Sequence, residues 1–141
     1  APSTITRLKD LGIDSFLINS AVHLVVAQRL LRTNCSQCKA PDNRYSPEAL
    51  MKLGFPQNII GKFQPIKGKG CAQCNGTGMK GRCAVQEVMP MSESLREKIG
   101  LGATTDEIRK QAIAEGMRTI RLNSMRKIIR GQVPVDELQM I

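Results

Sequence analysis

Residues 71–82 read Cys-Ala-Gln-Cys-Asn-Gly-Thr-Gly-Met-Lys-Gly-Arg, and an earlier Cys-Ser-Gln-Cys occupies residues 35–38. Two residues between cysteines allow one tight turn to aim both sulfurs at a single point. The four thiolates of two such turns are the ligand set of a tetrahedral structural zinc site. We therefore predict one structural zinc ion bound by Cys35, Cys38, Cys71 and Cys74.

The cysteine count leaves two other interpretations open. Five cysteines could indicate an oxidised, secreted protein with one thiol left over, or a catalytic thiol. The paired Cys-x-x-Cys spacing favours a reducing cytosol and a metal. Cys83 lies outside both pairs and is expected to be a strand residue, not a ligand. The single histidine, His23, is expected to be a packing residue of a helix.

Composition bounds the size and the partners of the protein. A chain of 141 residues is enough for one ordinary domain or two small ones. The net charge is +9, and four thiolates with one zinc ion (−4 and +2) would leave +7, which favours anionic partners. Aromatic residues make up only 3% of the chain, which opposes single-stranded nucleic acid as a partner because such sites stack bases on aromatic rings. No apolar stretch approaches the roughly 18 residues of a membrane span.

Hydrophobic periodicity and turn residues predict the elements. Helices are expected over about residues 2–11, from Asp14 or Ser15 onward, over 47–53, from Ser92, from Thr104 or Thr105, over 118–130 and over 135–140. Residues 81–89 are predicted to form a strand, whereas residues 25–31 fit either a helix or a buried strand. Residues 34–79 are rich in Gly, Pro, Lys and Cys and have too little core to fold alone. We expect the metal to supply the missing stability.

Five short segments occur in a characteristic order. They are Leu-Lys-Asp-Leu-Gly at 8–12, Val-Ala-Gln-Arg-Leu at 26–30, the run at 71–82, Gln-Glu-Val-Met-Pro at 86–90 and Ala-Glu-Gly-Met-Arg-Thr-Ile at 114–120. As an ordered set they resemble the secretion ATPases, the hexameric motors of bacterial type II secretion and type IV pilus assembly. The resemblance covers nearly the whole chain. Met79 departs from it, since the family usually has an aromatic residue there.

The resemblance implies an α+β, mainly helical fragment of a larger fold. Residues 1–33 would form the end of a P-loop (RecA-like) ATPase core, with two helices and a strand. Residues 34–80 would form a zinc-binding insertion at the tip of a β-hairpin, and residues 81–90 the returning strand. Residues 91–141 would form a C-terminal helical bundle. Under this interpretation the ambiguous run becomes a strand over 27–33, paired antiparallel with a strand over 82–89.

The resemblance also implies that ATP hydrolysis belongs to the longer parent protein. Neither Gly61-Lys62 nor Gly68-Lys69 fits the phosphate-binding pattern Gly-x4-Gly-Lys-Ser/Thr. ATP and magnesium would be bound by another part of the parent, and this chain alone is predicted to be inactive. The chain begins at Ala1 inside a predicted amphipathic helix, so we expect it to be a fragment.

By the same resemblance, the parent is a homohexameric ring that acts on an inner-membrane platform protein. It would be cytoplasmic and peripheral to the inner membrane, with no nucleic-acid partner expected. Arg82 lies where the insertion rejoins the hairpin and is a candidate coupling residue. Four lysines of the insertion are expected to face outward, toward an acidic partner or anionic lipid, or merely to keep it soluble: Lys62, Lys67, Lys69 and Lys80.

Two other functional classes and one local question stay open. A zinc-ribbon nucleic-acid-binding domain fits the charge. A chaperone-type zinc domain fits residues 71–78, which match one Cys-x-x-Cys-x-Gly-x-Gly repeat of the DnaJ chaperones, although residues 39–42 break that pattern. Four basic residues near the end of the chain mark either a solvated face or a specific anion site: Arg121, Arg126, Lys127 and Arg130.

Overall fold

The computed structural model describes all residues from 1 to 141. Its six α-helices are α1 (Pro2–Asp10), α2 (Ser15–Ala21), α3 (Pro47–Lys52), α4 (Glu93–Gly100), α5 (Thr105–Ala114) and α6 (Ile120–Ile129). Its four strands are β1 (Leu24–Asn34), β2 (Lys39–Pro41), β3 (Ile66–Gly68) and β4 (Met79–Pro90). Short 3-10 helices cover Ala72–Cys74 and Val135–Met140. The fold is therefore mixed α and β with small antiparallel sheets, and no helix combines the length and apolar character that spanning a membrane requires.

The chain divides into two compact units. Unit 1 comprises Ala1–Gln28 and Gln86–Ile120, and unit 2 comprises Arg29–Val85 and Arg121–Ile141. The helices after residue 90 do not form a unit of their own, because α4 and α5 belong to unit 1 and nearly all of α6 belongs to unit 2. The compact units thus group the segments differently from the sequence division at residues 33, 80 and 90.

Unit 1 is a helical unit with an apolar core. Helix α1 packs on α5, and α4 packs on both α2 and α5. The side chains of Ile5, Ile18 and Ile99 are at most 2% exposed and meet in one cluster. The helices begin where the sequence predicts, since Ser92 caps α4, and Thr104 caps α5 with its hydroxyl accepting from a backbone N–H.

Unit 2 has smaller elements joined by loops. Strands β2 and β3 pair antiparallel, with Lys39 opposite Gly68 and Pro41 opposite Ile66. This pair of three-residue strands was not predicted, because both strands lie in a segment without alternating hydrophobicity. Helix α6 contributes the buried Met125 and Ile128, and the 3-10 helix near the C-terminus contributes the buried residues Val135 and Leu138.

Strands β1 and β4 form the predicted pair and are longer than predicted. In unit 1 the backbone N–H of Met91 donates to the carbonyl of His23. In unit 2 the Thr33 hydroxyl donates to the carbonyl of Lys80. Residue numbers fall along one strand as they rise along the other, so the two strands run antiparallel. The structure therefore resolves the ambiguous residues 25–31 as strand and confirms the paired strands.

Candidate metal centre

The first cysteine turn begins directly after β1. The N–H of Cys35 donates to the carbonyl of Gly78 at 3.0 Å, and the N–H of Lys39 closes the turn by donating to the carbonyl of Cys35 at 3.0 Å. Cys38 then leads directly into β2. The end of one strand and the start of the next thus hold both sulfurs of this pair.

The second cysteine turn is a single 3-10 turn over Ala72–Cys74. It is closed by the N–H of Gly76, which donates to the carbonyl of Cys71 at 2.9 Å. Asn75 and Gly76 both adopt the left-handed conformation, with φ of 52° and 76°. Glycine and asparagine are the residues that adopt this conformation most readily. The Asn-Gly sequence after the second pair therefore returns the chain tightly toward β4.

The four paired sulfurs form one cluster within unit 2. All four Sγ atoms lie within 4.8 Å of one another. The distances from Cys35 to Cys71 and from Cys38 to Cys74 are both 3.8 Å, and that from Cys71 to Cys74 is 3.7 Å. A regular tetrahedron with zinc–sulfur bonds of about 2.3 Å has edges of about 3.8 Å. The donor set and its spacing thus fit a tetrahedral zinc ion.

Backbone N–H groups surround the sulfurs. The N–H of Gly70 donates to Cys38 Sγ at 3.3 Å, and the N–H groups of Cys71 and Gly78 both donate to Cys74 Sγ at 3.2 Å. Hydrogen bonds to metal-ligating sulfurs orient the ligands and stabilise their negative charge. This arrangement favours thiolates, the form of cysteine that binds metal.

The thiols also perturb one another. Burial acts to raise the pKa of Cys74, but N–H donors from Cys71 and Gly78 and the neighbouring thiols outweigh it and lower that pKa to about 6. Burial, together with the other three thiols, raises the pKa of Cys38 to about 11 despite the Gly70 N–H. Opposite shifts are expected where crowded thiols compete for charge, and a bound dication removes that competition.

Two pairs of glycines allow the strands beside the cluster to approach each other. A Cβ atom on Gly68 would lie 1.9 Å from the carbonyl oxygen of Gly78, and one on Gly78 would lie 2.2 Å from that of Gly68. A Cβ on Gly70 would lie 2.7 Å from the carbonyl oxygen of Gly76. No side chain fits at Gly68 or Gly78, so the cysteine turns can meet only because these residues are glycine. No local sequence pattern marks this packing role, because the two glycines of each pair meet only in the folded chain.

Unit 2 also contains an ionic network centred on Asp136 that the sequence did not predict. Asp136, in the C-terminal 3-10 helix, accepts hydrogen bonds from Arg44, Tyr45 and Lys67. Asp42 accepts two further bonds from the Arg44 guanidinium. Partial burial acts to raise the pKa of Asp136, but its three donors outweigh it and lower the pKa to about 2. The three partners of Asp136 are 69 to 92 residues away from it in sequence, so no local pattern marks these bonds.

The remaining candidate residues lie apart from the sulfurs. Lys67 is half-buried and ion-paired with Asp136, so the expectation that it faces outward is wrong. Lys62 and Lys69 are exposed, as is Lys80, whose ammonium donates to the side chain of Gln73. Arg82 is exposed. Cys83 lies in β4 outside the cluster, as expected.

Comparison with known proteins identifies the relatives of this chain. Residues 1–140 match the family described as Type II/IV secretion system protein. The type IV pilus assembly ATPase PilB of Myxococcus xanthus is 38% identical over 138 residues, which are 98% of this chain and 24% of the relative. PilB of Thermus thermophilus is 36% identical over 98% of this chain and 15% of the relative.

A secretion protein is almost equally similar. Type II secretion system protein E of Aeromonas hydrophila is 35% identical over 98% of this chain and 27% of the relative. This chain therefore spans about a quarter or less of the length of these curated relatives. Similarity along nearly the whole chain confirms the resemblance noted in its sequence motifs, and the chain belongs to the Type II/IV secretion system protein family.

Proposed function

We propose that this chain is the C-terminal, zinc-containing part of a hexameric cytoplasmic ATPase that powers type IV pilus assembly or type II secretion. The observation that carries the proposal is the similarity to pilus and secretion ATPases along 98% of the chain. The four-sulfur cluster agrees with the zinc module that the sequence predicts. The identities of 38% and 35% to a pilus and a secretion protein do not separate the two processes.

Zinc has a structural role in this proposal. Cys35, Cys38, Cys71 and Cys74 would bind the ion as four thiolates and leave no open coordination position. When bound, the ion supplies cohesion and no catalytic step. Its ligands join β1, β2 and the segment that enters β4, so the ion would fix the insertion as a rigid body.

ATP hydrolysis is assigned to the rest of the longer protein. The 141 residues contain no Gly-x4-Gly-Lys-Ser/Thr segment, whose backbone, lysine and hydroxyl hold the nucleotide phosphates and magnesium. The purified chain should therefore neither bind nor hydrolyse ATP appreciably. Turnover that persists on purification and is abolished by a substitution within this chain would contradict the assignment.

An exposed apolar surface in unit 1 supports the placement of residues 1–33 at the edge of a larger core. Leu11 is 73% exposed, Phe16 76%, Leu17 56% and Leu24 52%. Large apolar side chains at such exposure are typical of surfaces that another protein segment covers. We assign this cover to the P-loop core of the longer protein.

The partners follow from the same proposal. The longer protein would act as a ring of six identical subunits on an inner-membrane platform protein, at the cytoplasmic surface of that membrane. The exposed Lys62, Lys69 and Lys80 would face an acidic partner or anionic lipid headgroups. Arg82 would couple the insertion to the hairpin. No nucleic acid is needed as a partner.

The test compares Cys71→Ser with Cys83→Ser in the full-length protein. Both substitutions replace a thiol by a hydroxyl, but only Cys71 belongs to the sulfur cluster. Cells that carry Cys71→Ser should lose pilus assembly or secretion, whereas Cys83→Ser should retain it. Assays of pilus assembly and of secretion in the same strain show which of the two processes the protein serves. Normal assembly and secretion with Cys71→Ser would refute the proposed role of the zinc module.

A further inference from the structure

Thr77 lies between the second cysteine turn and β4, and its side chain is bonded to the backbone on both sides. The hydroxyl donates to the carbonyl of Cys74 at 2.6 Å and accepts from the N–H of Met79, the first residue of β4, at 3.3 Å. The carbonyl of Met79, at 2.9 Å, is a second acceptor for the same proton. A threonine hydroxyl has one donor and two acceptor positions, so it can donate and accept at once. The side chain therefore joins the cysteine turn to the strand that follows.

The position of these bonds in the chain matters more than their presence. Thr77 is exposed, so water could satisfy its hydroxyl without holding any backbone group. Threonine hydroxyls often bond to nearby backbone groups in turns, and such bonds alone show only that the turn is ordered. Here the two bonded residues, Cys74 and Met79, lie on either side of Gly78 in the sequence. The hydroxyl is thus placed to restrain the backbone at Gly78.

Gly78 contacts both cysteine turns through its backbone. Its N–H donates to Cys74 Sγ at 3.2 Å in a buried hydrogen bond, and its carbonyl accepts from the N–H of Cys35 at 3.0 Å. Cys74 Sγ also accepts from the N–H of Cys71, but that donor belongs to the same turn as the sulfur. The Gly78 N–H is therefore the donor to Cys74 that depends on the path of the chain after the turn.

Gly78 does not fix the direction of its own N–H. Its φ is 73°, and glycine adopts positive and negative φ about equally readily. The N–H of Gly78 shares a planar peptide unit with the carbonyl of Thr77, so it turns with the backbone of Thr77. A hydroxyl held between Cys74 and Met79 restrains that peptide unit and directs its N–H toward the sulfur.

We propose that Thr77 is a positioning residue of the zinc site, whose hydroxyl holds the peptide before Gly78 so that the Gly78 N–H meets the thiolate of Cys74. Thr77 contributes no ligand atom and acts through Cys74. Hydrogen bonds to metal-binding groups orient them and tune their charge, and their loss weakens metal binding. This inference rests on the zinc role proposed above and adds to it a residue outside the four ligands.

Zinc affinity, measured by competition with a chelator, tests the hydroxyl. Thr77→Val keeps the shape of the side chain and removes the O–H, so the 141-residue protein with this change should bind zinc about tenfold more weakly. Thr77→Ser keeps the hydroxyl and should bind zinc as the unaltered protein does. Thr33→Val is the matched control, because it removes a hydroxyl bond to the carbonyl of Lys80 in the same unit without touching either cysteine turn. It should retain the affinity of the unaltered protein.

NMR of the protein loaded with an NMR-active cadmium isotope tests the hydrogen bond itself. Cadmium replaces zinc in four-thiolate sites, and an N–H···S bond transmits a scalar coupling between the amide proton and the metal. At saturating cadmium, the unaltered protein and Thr77→Ser should show this coupling at Gly78 and at Cys71. Thr77→Val should lose it at Gly78 and keep it at Cys71, whose N–H lies outside the restrained peptide. A hydroxyl that only stabilises the loop would leave both couplings in place.

The two measurements separate failure of this inference from failure of the zinc role. Equal zinc affinity in Thr77→Val and the unaltered protein, or a Gly78 coupling that survives Thr77→Val, would overturn the inference and leave the zinc module intact. A loss of affinity in Thr77→Ser or Thr33→Val as large as that in Thr77→Val would do the same. An unaltered chain that binds neither zinc nor cadmium would refute the zinc role and this inference together.

Discussion

The two units of this chain are stabilised in different ways. In unit 1, apolar side chains from four helices meet in one cluster, including Ile5, Ile99 and Ile108, all with no exposed surface. In unit 2, four sulfurs converge and buried or half-buried ion pairs connect distant segments, as between Arg32 and Glu137. The helical unit therefore follows from local amphipathic patterns. The cysteine-containing unit has buried apolar side chains of its own, such as Ile128 and Val133, and adds to them a sulfur cluster and ion pairs that join residues distant in sequence.

The largest expected effect is the loss of a sulfur ligand. Cys35→Ser should release zinc and unfold residues 34–79, because structural zinc sites contribute on the order of 10 kcal/mol to folding. Helices α4 and α5 should stay folded, since their apolar faces belong to unit 1. Zinc content and amide hydrogen exchange measure both effects. Cys83→Ser is the control and should keep the metal. A metal-free protein in which residues 34–79 stay protected would contradict the prediction.

A core substitution in unit 1 should destabilise unit 1 and leave the zinc-binding unit 2 unaffected, the reverse of the effect of Cys35→Ser. Ile108→Ala removes a side chain with no exposed surface and should destabilise unit 1 by about 2–5 kcal/mol, through lost burial and a cavity. Zinc content should not change. Ile113→Ala on the same helix is the control, since Ile113 is 46% exposed and should cost less than about 1 kcal/mol. Hydrogen exchange at increasing urea concentrations measures the unfolding of each unit separately. Release of zinc by Ile108→Ala would show that the two units are not independently stabilised.

Backbone packing beside the cluster should be sensitive to a single methyl group. Gly68→Ala places a Cβ 1.9 Å from the carbonyl oxygen of Gly78, so the strands must separate. We expect a loss of about 1–3 kcal/mol and weaker zinc binding, as overpacking displaces the second cysteine turn. Gly100→Ala in unit 1 is the control, because its Cβ would meet nothing closer than 3.7 Å. Equal zinc affinities in a competition assay with a chelator would argue against the close approach.

The sequence predicted the elements of unit 1 and the convergence of four cysteines in unit 2 for a common physical reason. Capping residues such as Ser92 and Thr104 act within one helical turn, and each Cys-x-x-Cys pair acts within one tight turn. Such local signals can be read without knowing the fold. The family resemblance then supplied the pairing of β1 with β4, which periodicity alone left ambiguous.

The features that the sequence did not predict depend on contacts between distant residues. Lys67 was expected to face outward with the other lysines of the insertion, yet Asp136 lies 69 residues away and binds it. Two further features likewise depend on the approach of the two cysteine turns. They are the contact between Gly68 and Gly78 and the pairing of the short strands β2 and β3. Nearly all of α6 belongs to unit 2, and the hydrophobic pattern of the helix alone does not indicate this.

The ionic network of unit 2 should make that unit sensitive to acid. The pKa of Asp136 is lowered from 3.8 to about 2, so its contribution is complete above about pH 4 and is lost as the pH falls toward 2. Because Asp136 is 31% exposed and partly screened, we expect Asp136→Asn to cost on the order of 1 kcal/mol at pH 7. Asp106→Asn in unit 1, where Asp106 is 77% exposed, is the control and should change little. Because acid also releases zinc from thiolates, the difference is measured as denaturant midpoints at pH 7 in low and in high salt, and it should shrink as salt screens the ion pairs. An Asp136→Asn effect that salt does not reduce would exclude the ionic origin.

The smallest effect on stability is expected for the exposed lysines of unit 2. Lys62→Glu with Lys69→Glu and Lys80→Glu should change the free energy of unfolding by less than about 1 kcal/mol, because exposed charges contribute little. In the full-length protein the same reversal should weaken association with anionic vesicles or with the platform protein while leaving ATP hydrolysis largely intact. The matched control reverses three exposed basic residues outside residues 34–80: Arg29, Lys98 and Lys110. Both proteins then carry the same net charge, so a difference between them reports the position of the charges. Normal pilus assembly or secretion with all three lysines reversed would mean that the zinc module has no contact role through these residues and acts as a structural clasp.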